Sequence, residues 1–124
     1  MDEAQQDLNT ASEPFGVALA ELAEPAEWAN TGGAMLLDVR RKATFDAARQ
    51  MLPGAVWRDP ELLAQWLPGL VSGQALVVYC VFGHQVSRGL VLRLRAAGID
   101  ARFLRGGMDA WQQDGRPLVD KPAG

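Results

Sequence analysis

Ala75-Leu76-Val77-Val78-Tyr79-Cys80-Val81-Phe82-Gly83-His84-Gln85-Val86-Ser87-Arg88-Gly89-Leu90-Val91-Leu92-Arg93-Leu94-Arg95-Ala96-Ala97-Gly98 is the stretch whose reading decides the fold. Its opening run shows no polar alternation before Cys80, as expected of a strand covered on both faces. From Ser87 to Ala97 the pattern becomes helical. Leu90, Val91, Leu94 and Ala97 form an apolar stripe, and Gly98 is placed to end the helix in a left-handed conformation. Between the two lies a short loop containing Gly83, with Cys80 as its first residue. The stretch therefore reads as strand, tight loop, helix.

The same grammar extends outward. Met35-Leu36-Leu37-Asp38-Val39 is a second apolar run, while Ala101 to Leu104 and Ala55 to Trp57 are weaker strand candidates. Asp59-Pro60-Glu61 supplies a cap, a proline and an acid for a helix whose apolar face is Leu62, Leu63, Trp66 and Leu67, ending at Pro68-Gly69. A short helix is expected over Met108 to Gln113. Towards the N-terminus, Leu19 and Leu22 suggest a short helix and Glu24 to Trp28 a second helical turn, broken at Asn30-Thr31-Gly32-Gly33. Residues 1–14 read as a flexible leader, 15–120 as one domain and 121–124 as a tail. Strands alternating with helices predict the α/β class: a central, mostly parallel sheet of about five strands with helices on both faces. In such sheets chemistry gathers at the carboxyl ends of strands, where Cys80 falls.

Composition narrows the function classes. The chain has 124 residues, 48 % hydrophobic and 22 % charged, enough for one core. Twelve Lys and Arg against fifteen Asp and Glu leave a net charge of −3, which offers no general attraction to nucleic acid or an anionic membrane. A single cysteine forms no intramolecular disulfide, and the start MDEAQQDLNT is acidic and polar, unlike a secretory signal. The expected location is the cytoplasm.

A loop that curls around a sulfur and feeds a helix N-terminus gathers backbone N–H groups and a partial positive charge. Such a cradle favours an anion, and thiolates at helix N-termini are effective nucleophiles. Cys80 is accordingly the candidate nucleophile; the alternative is an inert core cysteine. Gly83 permits a positive φ or a close approach to the sulfur. His84, the only histidine, is a candidate substrate donor or source of positive charge, and a Cys80–His84 pair lacks the further ligands zinc requires. Arg88 is placed to contact an anion at the pocket mouth, whereas Arg93 and Arg95 read as solvated face. Asp38 and Arg40, at a second strand end, read as an arrangement that organises loops. Trp28, Trp57, Trp66 and Trp111 read as core or pocket wall, and Gly106-Gly107 as a turn.

Four segments in order resemble the rhodanese family: Leu36-Leu37-Asp38-Val39-Arg40 is similar to its strand ending in Asp-x-Arg. Leu52-Pro53-Gly54-Ala55 is similar to its Ile-Pro-Gly-Ala segment, with Met51 where a histidine is usual. Val77-Val78-Tyr79-Cys80 is similar to the strand entering its active-site loop, and Leu104 to Trp111 to its Gly-Gly-x-x-x-Trp pattern. The resemblance spans about Phe15 to Leu118. It implies a sulfurtransferase in which Cys80 takes a sulfane sulfur from a donor such as thiosulfate. The resulting persulfide passes the sulfur to cyanide, a thiol or a protein acceptor, without metal or organic cofactor. It also implies that Val81, Phe82, Gly83, His84, Gln85, Val86, Ser87 and Arg88 surround the substrate.

The loop departs from the family's common Cys-x-x-Gly-x-Arg-Ser/Thr pattern, having Gln85 at the arginine position, Val86 at the hydroxyl position and Ser87 one residue later. Two alternatives follow. One is a low-turnover sulfur-carrier or protein-binding module. The other is a relative of the cysteine phosphatases or arsenate reductases, whose Cys-x5-Arg loop would place an arginine where Val86 stands.

Overall fold

The computed structural model describes Leu8 and residues 10–19, 35–70, 74–83 and 85–122. The expectations for Leu22, Glu24 to Trp28, Asn30 to Gly33 and His84 lie outside them.

Two strands form where apolar residues run without interruption, β2 (Met35–Asp38, apolar up to Asp38) and β5 (Ala75–Tyr79), and a third, β6 (Asp100–Leu104), buries Ala101, Phe103 and Leu104 while Asp100 and Arg102 stay exposed. Two shorter strands, β1 (Gly16–Val17) and β4 (Val56–Trp57), flank them, giving a five-stranded sheet in the order β1-β6-β5-β2-β4. All its pairings are parallel, so the expected mostly parallel sheet is wholly so. Leu37 lies opposite Val78 and Val78 opposite Phe103, which sets the central rungs in register.

Because side chains alternate across a strand, each apolar run supplies two cores. On one face Leu37, Leu76, Val78 and Phe103 pack with Leu90, Val91 and Leu94 of α3 (Gln85–Ala96) and with Leu63 of α2 (Leu63–Trp66). On the other, Leu36, Val77, Tyr79 and Leu104 pack with Met108 and Trp111 of α4 (Gly107–Gln113). Each such side chain removed from water stabilises the fold by about 1.5–3 kcal/mol, which outweighs the weak intrinsic preferences of these short elements.

Several boundaries differ from expectation for physical reasons. Helix α3 begins at Gln85, two residues before Ser87, and ends at Ala96, beyond which Gly98 takes φ +86°. The helix expected after Asp59 is divided into a 3-10 turn (Pro60–Leu62), α2 and a second 3-10 turn (Leu67–Gly69), since Pro60 and Pro68 bracket too few residues for a continuous helix. Helix α1 (Lys42–Ala47) and the antiparallel ribbon of β3 (Gln50–Met51) with β7 (Val119–Asp120) add to the sequence expectation. Ser12 and Glu13, within the segment read as a leader, hydrogen-bond to Arg88. No helix among the described residues is long and apolar enough to cross a membrane.

Candidate active site

Cys80 follows β5 directly and is 6 % exposed. The chain turns through Val81 and Phe82 to Gly83, where φ is +72°. A Cβ on Gly83 would lie 2.8 Å from both the Gly106 nitrogen and the Leu104 oxygen, so conformation and space alike demand glycine. Gly107 is equally constrained. Its φ is +57°, and a Cβ there would lie 2.3 Å from the Cys80 carbonyl oxygen.

The Gly106-Gly107 turn is thus the seat of the cysteine loop. The Met108 N–H donates to the Cys80 carbonyl at 2.9 Å and the Asp109 N–H to the Val81 carbonyl at 2.8 Å, satisfying two donors at the start of α4. In a trans peptide the N–H points opposite to the C=O. The N–H groups of Val81 and Phe82 therefore face away from α4. On the other side of the sulfur, Ser87 Oγ lies 3.2 Å from Cys80 Sγ, and Ser87 is fully buried in the first turn of α3.

Arg88, expected to contact an anion, has its guanidinium engaged by protein groups. Its Nε donates to the Gly83 carbonyl at 3.0 Å, its Nη1 to Ser12 Oγ and Glu13 Oε2, and its guanidinium lies 4.3 Å from the centre of the Phe103 ring. These partners hold the loop and the N-terminal segment together.

An open depression of about 250 Å³ reaches Cys80, lined by Arg40, Arg41, Thr44 and Cys80 with Val81, Phe82, Gln85 and Val86. Gln85 and Phe82 are exposed and Val86 half-buried. The sequence reading supplied the loop side but missed Arg41 and Thr44. They flank and enter α1, a six-residue helix in which Phe45 is the one large apolar residue, too little for a helical apolar period to show.

Arg40 is both a wall of the depression and part of a buried node. Its Nη2 lies 2.6 Å from Asp38 Oδ2, and its Nε donates to both carboxylate oxygens at 3.0 Å. Its Nη1 reaches Met108 Sδ and its Nη2 the Gln50 carbonyl. Tyr79, paired in register with Asp38, donates its hydroxyl to Oδ2 at 2.9 Å and accepts the Leu52 N–H at 3.2 Å. Burial, then the Asp38 charge, pushes the Tyr79 phenol far above its ordinary range, so it remains a donor. The node ties β2, β5 and the segment after β3 at the floor of the site.

A parallel α/β sheet presenting a buried thiol at a strand end, before a helix N-terminus, defines a thiol-centred class of site. The rhodanese-like domain family matches residues 19–114, and the chain belongs to that family. No curated protein matches the chain. Among solved structures, a full-length protein from Lactobacillus plantarum aligns over 98 % of this chain and 100 % of its own at 24 % identity, with a TM-score of 0.77. A thiosulfate sulfurtransferase from Pseudomonas aeruginosa aligns at 27 % identity over 85 % of this chain and 19 % of its own, with a TM-score of 0.67. A protein from Rhodopseudomonas palustris, a possible tyrosine phosphatase, aligns over 93 % of this chain and 90 % of its own at 16 % identity and a TM-score of 0.75.

Proposed function

We propose that this chain is a sulfurtransferase that carries a sulfane sulfur as a persulfide on Cys80. The observation that carries the reading is the Cys80 thiol itself, at the end of β5, hydrogen-bonded to Ser87 and with the loop carbonyls turned onto α4. The 27 % identity with a thiosulfate sulfurtransferase supports the same chemistry. In the first half-reaction the Cys80 thiolate attacks the outer sulfur of thiosulfate; the S–S bond breaks with its pair on the departing sulfite. In the second, an acceptor nucleophile attacks the outer sulfur of the Cys80 persulfide and Cys80 leaves as thiolate. Electrons and atoms balance without a cofactor, and the two steps give ping-pong kinetics. Ser87 stabilises the sulfur anion in both, while the Val81 and Phe82 N–H groups are oriented to solvate negative charge.

Mass spectrometry after incubation with thiosulfate, mercaptopyruvate and persulfide donors tests this. The expected result is the mass of one added sulfur atom on the wild type, none on Cys80→Ala, and slower loading of Ser87→Ala. No adduct from any donor would overturn the reading.

The structural likeness to a possible tyrosine phosphatase raises phosphoryl transfer as a second reading. Charge disfavours it: Val86 occupies the sixth position after Cys80, Arg88 is engaged by Gly83, Ser12 and Glu13, and Arg40 is neutralised by Asp38. The loop therefore supplies no free guanidinium at the position such a transition state uses, and Arg41 of the lining, without an ion pair among the described residues, comes instead from the segment before α1. No Cys80-dependent release of phosphate from aryl phosphates is expected.

A further inference from the structure

A second depression, of about 320 Å³, adjoins the one at Cys80, and its lining includes Arg41, Glu61, Val86, Gly89, Leu90 and Arg93. The two share Arg41, Gln85 and Val86, so they form one groove running from the sulfur along the exposed side of α3. Its floor contains a glycine in the interior of a twelve-residue helix, where glycine costs about 1 kcal/mol relative to alanine. A Cβ at Gly89 would meet nothing within 4 Å. The chain's own packing therefore gives no reason for the glycine, whereas close approach of an outside chain does.

The groove's charge points to what that chain is. Among the described residues neither Arg41 nor Arg93 has an ion pair, whereas the neighbouring Arg95 is paired with Asp100 and covers Phe15. Glu61 is the one carboxylate in the lining, so the groove carries positive charge on a molecule of net charge −3. From Val86 to Arg93 the helix rises about 10 Å, a span that an extended peptide covers in about three residues. Cyanide or a single amino-acid thiol would occupy only the end at Cys80.

We propose that the groove seats an extended acidic peptide segment bearing the acceptor thiol, with its cysteine at Cys80 and an Asp or Glu about three residues away at Arg93. This rests on the persulfide reading above and names its acceptor class. The peptide thiolate attacks the outer sulfur of the Cys80 persulfide, the Sγ–S bond breaks with its pair on Cys80, and the peptide departs as the persulfide.

The test uses the full chain loaded with sulfur and three acceptors: cyanide, a peptide whose single cysteine has aspartates at the third and fourth positions on both sides, and the same peptide with asparagines. The aspartate peptide is expected to exceed the asparagine peptide in kcat/KM by roughly three- to tenfold at low ionic strength, fading with salt. Arg93→Glu should reverse that preference in favour of a lysine peptide. Gly89→Ala should raise Tm and also raise KM for the aspartate peptide relative to cyanide, a pairing of effects that a purely structural glycine does not produce. Equal use of both peptides, or a Gly89→Ala variant with higher Tm and unchanged peptide-to-cyanide ratio, would overturn the proposal. Calorimetric titration with the aspartate peptide carrying serine for cysteine separates the two readings: binding lost in Arg93→Glu supports the groove even if Cys80 takes up no sulfur, and absence of binding counts against it.

Discussion

At the residue scale the heaviest constraint is Asp38, a fully buried carboxylate that accepts from Arg40 and Tyr79 together. Removing one partner of such a buried pair costs about 3–5 kcal/mol because the other is left charged and unpaired. Tyr79 is the gentler probe. Tyr79→Phe removes a hydrogen bond to Asp38 and one from the Leu52 N–H, an expected loss of about 1–3 kcal/mol at neutral pH. The folded state holds the phenol protonated above the ordinary value of 10.0, so this contribution is complete below that value and declines as pH rises beyond it, where the unfolded phenol ionises. Urea midpoints at neutral pH and well above 10.0 should therefore converge between wild type and Tyr79→Phe; a constant gap would show that the phenol does not supply the alkaline sensitivity. The placement of Cys80 at a strand end, of Gly83 at a positive φ in the loop after it, and of Asp38 and Arg40 at a second strand end was legible from their order along the chain. Arg88's partners were not, because Ser12 and Glu13 lie 76 and 75 residues away.

At the scale of elements, the cysteine loop and the start of α4 are one fitted joint. Gly107→Ala would carry both a left-handed strain of roughly 1–2 kcal/mol and a Cβ driven against the Cys80 carbonyl. Gly115, at φ +72° with open space around it, isolates the first cost. Chemical denaturation should show Gly115→Ala destabilised by the strain alone and Gly107→Ala by clearly more, with Cys80 alkylation altered only in the latter. Equal losses would remove the joint from the account. The sequence reading took Gly106-Gly107 for a turn, correctly, but the carbonyls received just beyond it, Cys80 at Met108 and Val81 at Asp109, each come from 28 positions earlier. β2 and β5 were legible because strands covered on both faces are apolar almost throughout, whereas β6 was a weaker candidate because Asp100 and Arg102 interrupt it. β3 and β7 were not, since Gln50-Met51 and Val119-Asp120 acquire their strand character only from each other.

For the whole molecule, the C-terminal segment closes the fold back onto the wall of the Cys80 depression. Beyond the β3–β7 pairing, the Lys121 N–H donates to the Arg49 carbonyl, its Nζ to the Phe45 carbonyl, and its ammonium lies 4.3 Å from the Phe45 ring centre. Phe45 is stacked on Trp57 at 4.6 Å, so the tie reaches β4. Truncation after Leu118 should speed amide exchange across Lys42 to Met51 while β5 and β6 stay protected. Uniform acceleration throughout would show that the segment supports the entire sheet and not this wall.

Both outermost strands of the central sheet, Gly16–Val17 and Val56–Trp57, are only two residues long. Between them β5 and most of β2 are apolar on both faces, the composition most prone to recruit further chains into a growing sheet. With so short an unpaired border on either side, a second molecule finds almost no ladder to extend. The brevity of the borders is thus a safeguard against self-assembly into fibrils, and lengthening either one with β-branched residues would put solubility at risk before stability.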